Sequence, residues 1–145
     1  MFNDDMLKKI WNNKLLHFCN DFNTMQDLKE AISTPKSYED INGVLKFKDH
    51  ISNAVNTRNG IRVTTDQPTK YKRVVFLVGG CNAFGVGADD KHTISSFLQR
   101  KLNEYATDEE FIVYNYGYFV GREFFENLIN VINSLPIKEN DIIFL

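Results

Sequence analysis

The feature that most constrains this chain is the run Arg73-Val-Val-Phe-Leu-Val78, which passes directly into Gly79-Gly80-Cys81. A continuous apolar run of this length, bounded by polar residues and glycine, is the pattern of a strand buried on both faces. Such strands belong to sheets covered by helices, and the sequence that follows keeps that rhythm. Thr93 to Asn103 carries Ile94, Phe97, Leu98 and Leu102 at helical spacing; Phe111 to Tyr114 is a second apolar strand. Phe124 to Ser134 is a second helix, with Phe125, Leu128, Ile129 and Ile132 expected to face inward. Pro136 ends it, and Asp141-Ile-Ile-Phe-Leu145 begins a third strand. Strand, helix, strand, helix, strand predicts an α/β fold, a three-layer flavodoxin-like parallel sheet with right-handed crossovers.

Before this unit the pattern differs. Residues 4–19 place Met6, Ile10, Trp11, Leu15 and Phe18 near helical spacing, with Asp4 and Asp5 as caps. A second helix, capped by Asn23 or Thr24, carries Met25, Leu28 and Ile32 and stops at Pro35. The polar stretch 36–58 predicts loops with a short helix around 47–54. A short strand over Ile61–Thr65 and a turn at Asp66-Gln67-Pro68 follow. The expected organisation is an N-terminal helical extension over 1–55 and an α/β domain over 56–145. The chain stops inside an apolar strand, so the domain reads as truncated after its third strand. Its open sheet edge makes self-association an expectation.

Composition narrows the function classes. With 145 residues, 43% hydrophobic, the chain suffices for one domain with a real core. Its 17 basic and 19 acidic residues leave a net charge of −2, which gives no footprint for nucleic acid. Two cysteines, Cys19 and Cys81, without CxxC spacing point to a reducing compartment. With no apolar leader and no membrane-length span, the expectation is a cytoplasmic, soluble protein. No His/Cys/Asp cluster has ligand spacing, so neither metal nor cofactor is expected.

The chemistry is expected in the turn Gly79 to Gly87, because open parallel sheets bind ligands at the carboxyl ends of their strands. Three readings of the turn stand side by side: a nucleophile elbow at Cys81, a phosphate-binding loop, and a structural turn with a small buried thiol. The glycine pattern is neither GxGxxG nor GxxxxGK[ST], and free cysteine is often a small hydrophobe. Among the histidines, His92 follows Asp89 and Asp90, whose simplest role is to open and charge the next helix. Arg62 is expected to be a solvated surface residue or a contact for an anionic or sugar group.

The run RVVFLVGGCNAFGVGADDKHTISSFLQRKLNE resembles the first block of the SGNH/GDSL hydrolase superfamily. It is similar to the branch with a Gly-Gly-Ser step found among surface-polysaccharide biosynthesis proteins. Asn115-Tyr116-Gly117 after the second strand resembles that family's Asn-x-Gly, and NTRNGIRVTTDQP resembles its Asn-x-x-Gly-x-Arg lead-in. The resemblance spans roughly Asn56 to Leu145. It implies an acyl-ester hydrolase or acyltransferase acting on a carbohydrate or polysaccharide precursor. Cys81 stands at the nucleophile position, and its own N–H and that of Gly117 are the oxyanion donors. Gly80, Asn82 and Asn115 are the expected substrate contacts, and Tyr116 and Tyr118, which flank Gly117, are expected either to line an acyl or sugar pocket or to pack at the strand end. The departures are a Cys for the Ser, Gly80 for the more usual Asp, and no Gly-x-Asn-Asp or late Asp/His block within these residues. Without that base this chain is expected to be inactive or nearly so, and the resemblance also admits a non-catalytic binding module in a polysaccharide-biosynthesis assembly.

Overall fold

The computed structural model describes residues 3–13, 21–33, 38–106, 111–118 and 124–145. In chain order the elements are α1 (Asp4–Asn13), α2 (Met25–Ser33), β1 (Tyr38–Ile41), β2 (Val44–Phe47), β3 (Thr57–Arg58) and β4 (Ile61–Arg62). They continue with β5 (Arg73–Gly79), the single turn α3 (Cys81–Phe84), a 3-10 turn (Asp90–His92) and α4 (Ile94–Tyr105). Last come β6 (Phe111–Gly117), α5 (Phe124–Ser134) and β7 (Ile142–Phe144).

The fold is α/β, but its sheet is mixed rather than purely parallel. Its five strands run β3-β4-β6-β5-β7. β5 pairs in parallel with β6 and with β7, as the strand–helix rhythm predicts. On the far side of β6 the hairpin β3–β4 adds two short antiparallel strands, joined through Arg62 opposite Asn115. A separate two-stranded sheet, β1–β2, occupies part of the stretch expected to be loops, and no helix forms over 47–54. The cause of both hairpins is the same. Asn42-Gly43 and Asn59-Gly60 all have positive φ, between 52° and 86°. Two consecutive left-handed residues make the tight turn whose twist matches a β-ribbon. The N-terminal region is thus helical and stranded, with the part of the expected first helix beyond Asn13 lying outside the described residues.

The caps are local and specific. Asn3 Oδ1, not Asp4 or Asp5, accepts from the Met6 N–H at 2.8 Å. Thr24 caps α2 reciprocally: its Oγ1 accepts from Asp27 N at 3.1 Å, and Asp27 Oδ2 accepts from Thr24 N at 3.0 Å.

Strand parity divides the core. On one face of β5 and β6, Phe76 and Val78 meet Val131 and Leu135 of the α5 segment, with Val44 from β2. On the other, Val75, Phe111 and Val113 meet Leu98 and Leu102 of α4. A third cluster gathers Ile10, Leu28, Phe47, Phe84 and Tyr118, so α1, α2 and the first hairpin pack against α3. Both long helices are rotated from the full expected facing: Leu98 and Leu102 on α4 and Leu128 and Ile132 on α5 pack on the core as expected, but the rest do not. Ile94 and Phe97 on α4, and Phe125 and Ile129 on α5, are exposed. On α4, Ser95, Ser96 and Gln99 are buried instead, because the surface they meet is partly backbone.

Gln99 shows why. β4 pairs with β6 only at Asn115, leaving the lower edge of β6 without a strand. Gln99 Oε1 accepts from Val113 N at 2.8 Å and Gln99 Nε2 donates to Phe111 O at 2.9 Å. Gln67 Nε2 donates to Val113 O at 2.6 Å. Two side-chain amides thus stand in for a strand, satisfying backbone groups that burial would otherwise leave unpaired. β7 ends the opposite side of the sheet, and Ile142, Ile143 and Phe144 are 37%, 38% and 56% exposed there.

Replacing Gln99 with Leu keeps the volume and removes both bonds to the edge of β6. The expected cost is about 2–4 kcal/mol, read as a lower urea midpoint, together with faster hydrogen exchange at the Val113 amide.

Candidate functional site

The parallel register of β5 and β6 ends with Gly79 opposite Gly117. The turn bearing Cys81 and the segment Asn115-Tyr116-Gly117 are therefore neighbours at the carboxyl ends of two adjacent strands. The Tyr118 N–H donates to Gly79 O at 2.7 Å and locks this junction. Gly80 precedes α3 in an extended conformation, and its carbonyl accepts from Phe84 N at 3.0 Å. Cys81 is the first residue of that turn, half-buried and not in a disulfide. Its Sγ lies 3.9 Å from Asn82 Oδ1. Gly85, at φ 88°, ends the turn and reverses the chain.

Asn115 is fully buried and holds three segments together. Its Nδ2 donates to Ala83 O at 2.9 Å and to Ser95 Oγ at 3.0 Å, and its Oδ1 accepts from Gly117 N at 2.8 Å. It acts here through hydrogen bonds within the fold. The Gly117 N–H, expected as an oxyanion donor, is engaged by Asn115. Gly117 has a further role that spacing alone does not show. A Cβ built on it would overlap the backbone N and Cα of Phe84. The close approach of β6 to α3 requires a residue without a side chain.

The tyrosines after β6 take part in packing and also border a cavity. Tyr116 stacks near Phe76, with ring centroids 6.0 Å apart, and burial pushes its phenol pKa up. Tyr118 packs on Phe47 and Tyr38. Burial foremost, then the neighbouring Tyr38, raises its phenol, while Asn127 opposes the shift. Together with Gly117 these two tyrosines line a cavity of about 190 Å³ that also touches β2, Gly60 and Val131. Cys81 does not line it.

Arg62 departs most from expectation. It is fully buried, beneath α3, with its guanidinium 4.9 Å from the centroid of the Phe84 ring. Nε donates to Asp90 Oδ1 at 2.8 Å, and Nη2 donates to Ala88 O at 3.0 Å and to Ala54 O at 3.4 Å. Asp90 also accepts from the backbone and side-chain amides of Asn56. Burial pulls the Arg62 pKa down and Asp90 opposes the shift. Asn56 and Arg62, on either side of the Asn59-Gly60 turn, thus converge on one carboxylate in the loop after Cys81. Sequence spacing gave no sign of this pair; only the N-G hairpin between them points to a return of the chain.

Asp89 takes the capping part expected of the Asp89-Asp90 pair. Its Oδ1 accepts from His92 N at 2.9 Å and lies 2.7 Å from His92 Nδ1. Thr93 caps α4 through Ser96 N at 3.2 Å. Among the described residues no group of three or more His, Cys, Asp and Glu side chains is placed to hold a metal ion. No helix among them is long and apolar enough to cross a membrane.

Asp90→Ala leaves the Arg62 charge buried without its partner and is expected to cost about 3–5 kcal/mol in urea denaturation. Gly117→Ala forces β6 away from the α3 backbone, and a cost of about 3 kcal/mol is expected from the same measurement.

In comparison with known proteins, the chain matches no family model and no curated protein.

Proposed function

We propose that this chain is an SGNH/GDSL-like acyl-ester hydrolase or acyltransferase acting on a carbohydrate, with Cys81 as its nucleophile. The observation that carries the reading is the register of Gly79 with Gly117. It sets the Gly-Gly-Cys turn beside the Asn-x-Gly segment, the two blocks on which the resemblance rests. In this reading the fold is the three-layer flavodoxin-like one of that superfamily, with α4 and α5 on opposite faces of the sheet. Cys81 Sγ adds to the ester carbonyl, the C–O bond to the alcohol breaks, the thiol proton ends on that alcohol, and the thioester formed at Sγ is released by water or an acceptor hydroxyl; the Asp/His base that moves these protons in the family is not among these residues. The Cys81 N–H, at the start of α3, faces the developing oxyanion, the position where a backbone donor has most effect. Gly80 and Asn82 flank the acyl group, and Tyr116 and Tyr118 border the sugar side. Gly117 contributes first by its lack of a side chain, which brings β6 against α3. It joins as a donor only where the Asn115 carboxamide releases its N–H.

That Asn115–Gly117 bond also favours a second reading, an SGNH-like module that binds a saccharide without turning it over. Acylation kinetics separate the two. With 4-nitrophenyl acetate at pH 7.5, the enzyme reading expects one acetyl group at Cys81 by intact-mass spectrometry. It expects acetylation about tenfold or more faster than that of N-acetylcysteine. The Cys81→Ala chain, which keeps Cys19, should lose this fast phase. A Cys81 acetylated no faster than the model thiol overturns the enzyme reading.

A further inference from the structure

The buried guanidinium of Arg62 is only partly matched. A guanidinium has five donors. Nε faces Asp90 and Nη2 faces two backbone carbonyls, but Nη1 is buried without a hydrogen-bond partner. Two residues along, Thr64 is 6% exposed, and its Oγ1 is also buried without a partner. Buried polar groups are nearly always paired, so each exception calls for an account. These two share one: both residues line the same cleft of about 420 Å³ beside the β3–β4 hairpin.

The rest of that wall is chemically consistent. Asn59 and Gln67 bring carboxamides, Tyr114 a phenol and Arg58 an exposed guanidinium. Tyr114 has its pKa pushed up to about 12, chiefly by burial and then by its hydrogen bond with Tyr71, so it keeps its proton across the working pH range. The Asp90 carboxylate in the same wall is engaged by Arg62 and Asn56. Arg58 and Arg62 against Asp90 leave one net positive charge. Amides, hydroxyls and a guanidinium around a cleft of this size match a ligand with several hydroxyl groups that sets a carboxylate against the guanidinium.

We propose that the cleft between the β3–β4 hairpin and β6 binds an acidic saccharide through Arg62, Thr64 and Arg58. The site is separate from the Cys81 turn and does not depend on acyl-transfer chemistry there. In an ester-processing protein it would hold a sugar unit away from the reacting one. As a binding site it stands alone.

The test uses the full chain, titrated with tri-galacturonate and, in parallel, neutral maltotriose, followed by calorimetry and ligand-observed NMR. Saturable binding of tri-galacturonate is expected, with a Kd of about 1 mM or below, and maltotriose should bind about fivefold more weakly or less. Thr64→Val is isosteric and removes a hydroxyl that has no partner in the fold. It should leave Tm unchanged or higher while weakening tri-galacturonate about tenfold. Arg58→Gln should erase the preference for the acidic sugar. Cys81→Ala should bind as the parent does, so a failure of the acyl-transfer reading leaves this site standing. No saturable binding of tri-galacturonate, equal binding of the two sugars by the parent, equal affinity in Thr64→Val, or a lower Tm for that variant each overturns the proposal.

Discussion

The buried Arg62–Asp90 pair is the interaction on which the arrangement of the site depends. A guanidinium removed from water needs a carboxylate and further acceptors. Here they come from two segments of the chain: Asp90 and Ala88 from the loop after Cys81, and Ala54 from the segment before the second hairpin. Satisfying one charge therefore brings the loop after α3 against the segment before the β3–β4 hairpin. Phe84, lying against the same guanidinium, is fixed from below, and Cys81 at the other end of the turn is fixed with it. Such a pair adds little net stability over a well-packed apolar alternative. Its effect is to penalise every arrangement in which these segments part.

Around this pair, polar side chains carry out work usually done by backbone or apolar contact. Asn115 bridges β6, α3 and α4. Gln99 and Gln67 complete the edge of β6. Asn127 reaches from α5 to the Leu45 N–H of β2 at 2.8 Å. Short strands leave many backbone groups at their ends, and carboxamides, carrying both donor and acceptor, are suited to meet them. This sheet of brief strands is held to its helices by amides as well as by packing. The rotation of α4 follows from this, because the helix turns its serines and Gln99 toward the backbone and leaves Phe97 in solvent.

How much of this was legible in the residues depends on range. β5 was plain, since a run apolar on both sides has few other uses. The Thr24–Asp27 box and the Asp89 and Thr93 caps follow from residues three apart. Neither hairpin is in the expected pattern although their signals are short-range: Asn42-Gly43 and Asn59-Gly60 are strong turn dipeptides, but the polarity of 36–58 reads as loops with a short helix. The inward faces of α4 and α5 were legible in part: Leu98, Leu102, Leu128 and Ile132 pack inward as their spacing predicts, whereas Ile94, Phe97, Phe125 and Ile129 do not. A count of apolar spacing assumes an apolar surface opposite, whereas α4 meets the bare edge of β6.

The candidate site divides along the same line. Sequence alone settled that Gly79-Gly80-Cys81 follows a buried strand, because strand and turn lie within ten residues and need only local backbone preferences. Tertiary structure alone decided that Gly117 must lack a side chain, that its N–H belongs to Asn115, and that Arg62 lies buried against Asp90. The first and the last depend on the approach of segments about thirty residues apart, and the second on how the fold orients a buried Asn115 two residues away; the outcome is set by how close two backbones come and where a charge can be neutralised. Neither condition is written in the spacing of residues along the chain.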